Sequence, residues 1–301
     1  MKTLFKKHKK QLLNLVLPLA LVAAALLSSA NTQAGGRSQT SPYYGEDFYK
    51  DLSGNVHDED LVRRLRAVLT GSHMPSQDGG LDQIAPTCPG KSCYKHTALG
   101  YDRARIFMMG VYYLVKDGKG YALPDVYCGG LKHAEDFPSN PPAPQTIPNG
   151  SVINTEHTWP QSKFTGKFDR ETQKSDLHHL YPTDSEMNSI RGNNKFGEVA
   201  KDDRPLKCPA SRYGQPAEGG DEVFEPPKEH KGNVARALFY FSVRYEMPIG
   251  GVQEQTLRRW NQEDPVDDEE IRRNNEIQKV QGNRNPFVDY PELVEKISKF
   301  Q

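Results

Sequence analysis

The stretch "NTEHTWPQSKF", Asn154 to Phe164, decides the predicted fold, because it sets a glutamate and a histidine side by side after a short apolar run. Side chains alternate between two faces over residues 150–157, which indicates a half-buried β-strand. Neighbouring side chains in mid-strand point to opposite faces, so Glu156 and His157 are expected at the strand's end. Pro160 cannot donate to a ladder and supports termination there. The stretch therefore predicts a strand that carries two chemically active side chains to its end.

A second strand and a helix are predicted downstream. The segment "DLHHLYP", residues 176–182, is a short strand candidate, and "TDSEMNSIRGNN" follows it. Thr183 and Glu186 make a T-x-x-E capping box, which predicts that the helix begins at Thr183. Asn188 then lies in the second turn, with Arg191 one turn further along the same side. Strand, loop, strand and capped helix would form one compact unit.

The trio Glu156, His157 and Asn188 suits a defined chemistry if these side chains converge. Carboxylate and amide oxygens are hard ligands for Mg²⁺ or Ca²⁺. A histidine with a reference pKa of about 6.5 can accept a proton from water near neutral pH. Phosphodiester hydrolysis needs an activated nucleophile, a cation on the developing charge and a metal-bound water to protonate the leaving oxygen. Two protein ligands indicate one metal ion.

Five blocks of the sequence resemble the bacterial endonuclease I family of exported, sugar-nonspecific nucleases with a ββα-metal finger: "NTEHTWPQS", "DLHHLYPTDSEMNSIRGNNKFGEV", "GYDRARIFM", "KGNVARALFYFSVRYE" and "QGNRNPFVDYPEL". The resemblance extends from about Tyr43 to Leu293. It implies that His157 is the general base and that Glu156 and Asn188 hold one divalent metal, usually Mg²⁺, with Ca²⁺ or Mn²⁺ as alternatives. It also implies products that carry a 5′-phosphate.

The resemblance also implies an arginine that steadies the phosphate from the loop after the Glu-His pair. Arg170 is the one arginine between the two predicted strands, and Arg191 of the helix is the alternative. Contact mainly to phosphates predicts weak sequence preference and activity that falls as salt rises. His178 and His179 are interpreted as supporting histidines that diverge along a strand, with zinc binding as the less favoured alternative.

The leading functional hypothesis is a metal-dependent endonuclease that cuts DNA and, as a second substrate, RNA. A phosphodiesterase acting on small nucleotides is a close variant. An exported, non-catalytic nucleic-acid-binding protein is the alternative from another class, although such a protein would not need the trio. The protein is expected to act as a monomer.

The N-terminus predicts export. A basic leader, "MKTLFKKHKK", precedes the apolar residues 12–27 and a small-residue segment, which is the pattern of a cleaved signal peptide over residues 1–34. A transmembrane anchor would need a longer apolar run. Residues 35–42 are predicted to form a flexible tail and residues 43–301 the catalytic domain. The mature protein is therefore expected in the periplasm or outside the cell, with no membrane attachment.

Export makes disulfide bonds the leading interpretation of the four cysteines. The favoured pairs are Cys88 with Cys93, around a Pro-Gly turn, and Cys128 with Cys208. A zinc site is the alternative, but the sequence contains no C-x-x-C spacing.

Composition and periodicity predict one α+β domain that is mostly helical, with few strands, built around the ββα-metal finger. The formal charge of the 301 residues is zero, but the first 34 contain five lysines and no acid, so the remainder is about five units negative. Nonspecific attraction to polyanions is thereby excluded for the chain as a whole, and any nucleic-acid site must be a local patch. Helices are predicted over residues 58–71, 233–247 and, after a cap at Asp267 or Asp268, as far as Gly282.

Overall fold

The computed structural model describes residues 40–90, 92–118 and 120–301. The predicted signal peptide and most of the predicted tail lie outside these residues. The last part of the tail belongs to the fold, because a 3₁₀ turn spans Pro42–Tyr44 and the Tyr49 hydroxyl donates to the backbone oxygen of Ser41 at 2.9 Å. No helix in the described residues is long and apolar enough to cross a membrane.

Helices form 44% of the structure and supply most of its core. Helix α6 lies at the centre, and every residue from Gly232 to Tyr245 is buried. The predicted helix caps at Asp267 and Gly282 are confirmed, since the Asp267 side chain accepts from the Glu270 backbone N–H and Gly282 adopts a φ of 81°. The α-helices are α1 (Gly45–Ser53), α2 (Asp58–Thr70), α3 (Tyr101–Phe107), α4 (Arg170–Ser175), α5 (Ser185–Arg191), α6 (Lys231–Tyr245), α7 (Gly251–Glu263), α8 (Asp268–Gln281) and α9 (Pro286–Asp289).

Strands are more numerous than the sequence predicted, although each is short. The described part of the chain contains eleven strands of two to five residues, which are too short to leave a clear alternating pattern. They form four small sheets with the orders β1-β2, β3-β4-β5, β6-β7 and β8-β11-β10-β9. The strands are β1 (Ser72–Met74), β2 (Gln83–Ala85), β3 (Val115–Asp117), β4 (Gly120–Pro124), β5 (Leu131–Lys132), β6 (Ile153–His157), β7 (Leu180–Asp184), β8 (Lys195–Phe196), β9 (Lys201–Asp202), β10 (Arg212–Gln215) and β11 (Val223–Glu225).

Strands β6 and β7 pair in antiparallel register and lead directly into α5. Glu156 lies opposite Tyr181, and His157, the last residue of β6, lies opposite Leu180. The predicted strand end at the Glu-His pair is therefore confirmed, and α5 ends at Gly192 as expected. The β6–β7–α5 order provides the two strands and the helix that the sequence indicated.

Two boundaries in this unit differ from the prediction. The second strand begins at Leu180, because Asp176 accepts from the His178 backbone N–H and holds residues 177–179 in a 3₁₀ turn. The helix cap is Asp184 and not Thr183: the Asp184 carboxylate accepts from the backbone N–H groups of Glu186 and Met187 at 3.0 and 3.1 Å. Thr183 instead lies inside β7 and donates its hydroxyl to Asp125 at 3.2 Å.

Two apolar clusters hold the site in place. The larger one surrounds α6 and contains the fully buried Trp260 of α7. The smaller one packs behind β6 and β7 through Ile153, Leu177 and Leu180, against Met108 and Ile277. Burying side chains of this size contributes about 1.5–3 kcal/mol each, so the hairpin is anchored from behind.

Polar residues of α8 and the following turn tie this scaffold to the hairpin. Arg273 donates to the backbone oxygens of Leu177 and Leu180, the latter at 2.9 Å. Asn274 and Asn285 exchange two hydrogen bonds at 2.8 and 3.1 Å. These bonds satisfy backbone groups that would otherwise be buried without partners.

Both predicted disulfides are present. Cys88 is bonded to Cys93, 5 residues away, and Cys128 to Cys208, 80 residues away. Because the entropy that a crosslink removes from the unfolded chain grows with loop length, we expect replacing the Cys128–Cys208 pair with serines to cost about 4 kcal/mol, against about 2 kcal/mol for the short loop. Urea denaturation of the two double variants measures this difference. Equal losses would contradict the loop-length argument.

Candidate active site

Helix α5 lies along the outer edge of β6 and bonds its backbone. The Asn188 side-chain amide donates to the Thr155 oxygen at 3.0 Å. One turn further on, the two terminal nitrogens of Arg191 donate to the His157 and Thr158 oxygens at 2.8 and 2.6 Å. Helix α5 is thus bonded to the backbone of β6 and of the residue that follows it. The arrangement brings Asn188 and Arg191 to the same short stretch of backbone as Glu156.

The Glu156 carboxylate is buried, with 1% of its surface exposed. Arg191 Nη1 lies 2.8 Å from Oε1, which makes a buried ion pair. The N–H groups of Arg191 are aimed at backbone carbonyls, however, so neither Glu156 oxygen receives a well-aligned hydrogen bond from the described residues. Burial raises the pKa of Glu156, and Arg191 and the neighbouring Tyr127 hydroxyl oppose that rise. A buried carboxylate without hydrogen bonds is costly unless another positive group contributes to its stabilisation.

The Asn188 amide oxygen is the second candidate metal ligand, after the Glu156 carboxylate. Its NH₂ group donates to the Asn154 side-chain oxygen at 2.6 Å and to the Thr155 backbone oxygen at 3.0 Å. Both N–H bonds are thereby used, and the amide oxygen is the atom that remains to bind a ligand. The Glu156 carboxylate and the Asn188 amide oxygen are the types of ligand that a hard divalent cation binds.

The His157 ring is held with one nitrogen ready to accept a proton. Its Nε2 lies 3.1 Å from the Lys174 backbone oxygen, which can only accept, so Nε2 carries the hydrogen. Nδ1 is therefore unprotonated, and the Gln161 side-chain amide lies 3.4 Å from it. Burial, and then the nearby His179 ring, holds the pKa of His157 well below its usual range. The imidazole is neutral at physiological pH.

The trio does not share one face of β6. Glu156 faces Arg191 and Tyr127, on the side where Asn188 bonds Asn154. The His157 ring instead lies among aromatic rings, at centroid distances of 5.5 Å from Tyr101 and 6.5 Å from Phe164. Asn154, the partner of Asn188, therefore shares a face of β6 with Glu156, whereas the His157 ring at the strand's end lies on the other face, as strand alternation requires.

Exposed cations surround the His157 face. Arg170, at the start of α4, lies over the Phe164 ring at 5.6 Å and donates to the Gln161 backbone oxygen at 3.4 Å. Lys174 places its ammonium 4.1 Å above the Tyr101 ring. Arg191, the alternative phosphate contact, is only 2% exposed and belongs to the interior. Arg170 is thus the sequence-predicted arginine that lies on the surface next to His157.

Sequence reasoning missed Tyr101 and Lys174 as neighbours of the site. Tyr101 lies 56 positions before His157 in the chain, and α3 brings it close because the Glu171 side chain accepts from its backbone N–H at 2.5 Å. The motif "GYDRARIFM" was the available signal, but its spacing does not reveal the contact.

The paired histidines lie in the 3₁₀ turn and not in a strand, so the predicted strand geometry for them is wrong. They diverge nevertheless: the His178 ring packs against Tyr240 at 4.7 Å, while the His179 ring lies 5.3 Å from that of His157. Their Nε2 atoms bond the backbone oxygens of Asn283 and Gln173 at 3.3 and 2.9 Å. Both are therefore supporting residues in the interior.

A second group of carboxylates lies at the start of α5, and sequence reasoning missed it. Ligand atoms of Asp125, Cys128 and Asp184 lie within 4.8 Å of one another. The Cys128 sulfur is already in a disulfide, and Lys132 and Lys207 contact the Asp184 carboxylate at 3.0 and 2.8 Å. Asp125 also accepts hydrogen bonds from the Asp184 backbone N–H and the Thr183 hydroxyl. This group is charge-balanced and positions the helix, whereas the Glu156 carboxylate lacks hydrogen bonds.

Four histidines whose pKa is lowered should make the protein acid-sensitive. Burial lowers the pKa of His178 and His230 to about 3, and that of His96 and His179 to about 4. The unfolded chain binds protons near pH 6.5, so the unfolding free energy should fall as pH drops from about 6.5 towards 4, by up to about 1.4 kcal/mol per pH unit for each group.

Urea denaturation at pH 7.5 and pH 5.0 measures this dependence. We expect clearly lower stability at pH 5.0, and His230→Phe should flatten the dependence because it removes one titrating group. Equal stability at the two pH values would contradict the assignment of neutral, buried rings.

Comparison with known proteins shows the lineage of the chain. The sequence model of the Endonuclease I family matches residues 125–292, more than half of the chain. "Extracellular ribonuclease" of Bacillus subtilis (strain 168) is 36% identical over an alignment of 201 residues that covers 56% of this chain and 65% of that protein. "Periplasmic deoxyribonuclease" of Aeromonas hydrophila is 28% identical over 189 residues, covering 54% and 77%.

"Endonuclease-1" of Buchnera aphidicola subsp. Baizongia pistaciae (strain Bp) is 33% identical over 118 residues, covering 38% of this chain and 46% of that protein. The chain thus spans about two thirds of the length of the Bacillus relative and less than half of the Buchnera relative. The matched segment contains β6, β7 and α5 with Glu156, His157 and Asn188. The chain belongs to the Endonuclease I family.

Proposed function

We propose that the protein is a metal-dependent endonuclease that hydrolyses phosphodiester bonds of DNA and RNA with little sequence preference and leaves 5′-phosphates. One observation carries the proposal: a buried carboxylate without hydrogen bonds and a neutral histidine with a fixed tautomer occupy consecutive positions at the end of β6. Perturbed titratable groups of this kind cluster at functional sites, so their occurrence at adjacent positions supports a catalytic role.

Glu156 and Asn188 are the residues that would hold the metal, which completes a ββα-metal finger from β6, β7 and α5. A bound Mg²⁺ would supply positive charge to the phosphate and a polarised water for the leaving oxygen. Arg191 keeps the Glu156 carboxylate in place and bonds the strand that carries it. Asn188 is oriented by its two N–H bonds, so its oxygen needs no rearrangement to bind.

His157 would take a proton from the attacking water at Nδ1. The Lys174 carbonyl fixes Nε2 as the protonated nitrogen, and Gln161 limits rotation of the ring. Because the pKa of His157 is lowered, the ring is unprotonated at neutral pH and remains competent below pH 7. The phosphate would lie across the end of β6. Side chains stop alternating between two faces at this point, so the substrate could reach both faces of the strand.

Arg170 is the residue proposed to hold the phosphate on the His157 side. Arg170→Ala should raise KM by about tenfold. The slope of log(kcat/KM) against log salt concentration should become shallower by the contribution of about one phosphate contact. Cleavage rates between 50 and 200 mM salt measure both effects. Arg63→Ala is the matched control, since Arg63 is an exposed arginine of α2 that pairs with Asp60. Identical salt slopes for Arg170→Ala and the control would assign Arg170 another role.

We base the proposed substrates and the proposed cellular location on the same comparisons. Relatives named as ribonuclease and deoxyribonuclease support activity on both polymers, and their names place them outside the cell or in the periplasm. Two disulfides fit an oxidising compartment. We propose a monomer that acts in the periplasm or after secretion.

Incubation of the purified protein with supercoiled plasmid, single-stranded DNA or RNA tests the proposal. We expect nicking and then fragmentation with Mg²⁺, complete loss with EDTA, and products that a ligase rejoins because they carry a 5′-phosphate. Binding without cleavage at any metal concentration would favour the non-catalytic alternative. Cleavage that survives EDTA would remove the metal from the mechanism.

A further inference from the structure

A cavity of about 330 Å³ lies next to the proposed active site. Its wall is formed by Trp159, Leu238 and Ile249, between the loop after β6 and the start of α7. Lys163, Lys195 and Asn193 lie at its exposed rim. Pockets of this size with an apolar wall and a few polar groups are typical binding sites for small planar ligands.

The cavity shares Arg191 with the proposed active site. Thr158 and Arg191 line it, and Arg191 also pairs with Glu156. Trp159, two residues after His157, stacks on Phe241 at 5.4 Å with an interplanar angle of 17°, and Phe241 stacks in turn on Phe164 at 5.6 Å. A row of parallel rings therefore leads from the cavity to the His157 face.

The groups around the cavity match a nucleotide. An aromatic and aliphatic wall suits the faces of a base, and two lysines at the rim suit its phosphate. Trp159 Nε1, Thr158 Oγ1 and Arg191 Nε have no hydrogen-bond partner in the described residues. Buried indole N–H groups normally find an acceptor, and base carbonyls would supply one after a small adjustment of the wall.

We propose that this cavity binds an unpaired nucleobase of the substrate, on a nucleotide adjacent to the cleaved phosphate. The inference rests on the proposed nuclease function and adds a preference to it. A base in a duplex must be unstacked and unpaired to enter such a cavity, which costs a few kcal/mol. Single-stranded nucleic acid is therefore the preferred substrate.

Substitution of two adjacent glycines provides one variant that fills the cavity and one matched control. Gly250 lines the cavity and has a φ of −69°, which any residue adopts; an added Cβ would meet only the Lys195 ammonium, at 3.6 Å. Gly250→Phe therefore places a ring at the mouth of the cavity without backbone strain. Gly251 is exposed, and a Cβ there meets nothing within 4 Å, so Gly251→Phe adds the same ring outside it.

Tryptophan fluorescence reports occupancy without any cleavage. The chain has two tryptophans, and Trp260 is fully buried, so quenching by a ligand in the cavity reports Trp159. In EDTA, a five-nucleotide oligothymidylate should quench the Trp159 fluorescence of the wild type and of Gly251→Phe, and the quenching should reach saturation. Gly250→Phe should bind at least about tenfold more weakly, because stacking contributes about 1–3 kcal/mol per base. Lys195→Gln, a second variant at the rim, should also weaken binding.

Cleavage in Mg²⁺ provides the second readout. The ratio of kcat/KM for single-stranded over duplex DNA should exceed one for the wild type and Gly251→Phe, and it should fall at least about fivefold for Gly250→Phe. Equal quenching and equal ratios for the two phenylalanine variants would overturn the base-binding assignment. If the wild type binds the oligonucleotide in this way but cleaves nothing, the proposed nuclease function fails while the cavity assignment stands.

Discussion

His157→Ala is expected to reduce the cleavage rate by about 10²–10⁴-fold while the protein remains folded, because a positioned general base contributes a factor of this size. KM should change little, since the proposed phosphate contacts lie on other residues. Added imidazole should restore part of the rate by replacing the missing ring. Rates on plasmid DNA in Mg²⁺, with thermal denaturation as the check on folding, measure this effect.

His133→Ala is the matched control for this experiment. His133 is a partly exposed histidine outside β6, β7 and α5, and it pairs with Asp117 at 2.5 Å. Its removal should leave the rate unchanged. A His157→Ala protein that cleaves as fast as the control, in the same Mg²⁺ concentration, would exclude His157 as the base.

Arg191→Met is expected to lower the unfolding free energy by about 3–5 kcal/mol, because it leaves the Glu156 charge buried without its partner. The variant also loses two hydrogen bonds to the backbone oxygens of His157 and Thr158. Urea denaturation in EDTA measures the loss. Methionine keeps most of the side-chain volume, so packing contributes little to the difference.

The double variant Glu156→Gln/Arg191→Met separates charge from backbone bonding. It should recover about half of the lost stability or more, since removing the carboxylate charge removes the cost of leaving it unpaired. Arg191→Met with stability within about 1 kcal/mol of the wild type would contradict the buried ion pair.

Much of the β6–β7–α5 unit could be predicted because its signals are local. The end of β6 follows from alternation and Pro160, and the end of α5 follows from Gly192, whose φ of 54° favours glycine. The Cys88–Cys93 disulfide and the Asp267 cap were also predictable from neighbouring residues. Each of these features depends on a few adjacent positions.

The errors and omissions involve contacts between distant segments. Thr183 and Asp184 are both good helix caps, and the choice was decided by Asp125, 59 residues earlier, which bonds the Thr183 hydroxyl and the Asp184 N–H. Arg191 is the alternative phosphate contact in the sequence analysis, and only the tertiary packing shows that its side chain is buried against Glu156. The convergence of Glu156, His157 and Asn188 was predicted from their order along the chain. That order cannot specify the face on which each side chain lies.

The most direct test of the account is the position of a divalent ion in crystals of the inactive His157→Ala protein soaked in Mn²⁺. The anomalous difference map should show one peak about 2.0–2.4 Å from the Glu156 carboxylate and from the Asn188 amide oxygen. A peak between Asp125 and Asp184 instead, with Glu156 still paired only to Arg191, would contradict the proposed metal centre.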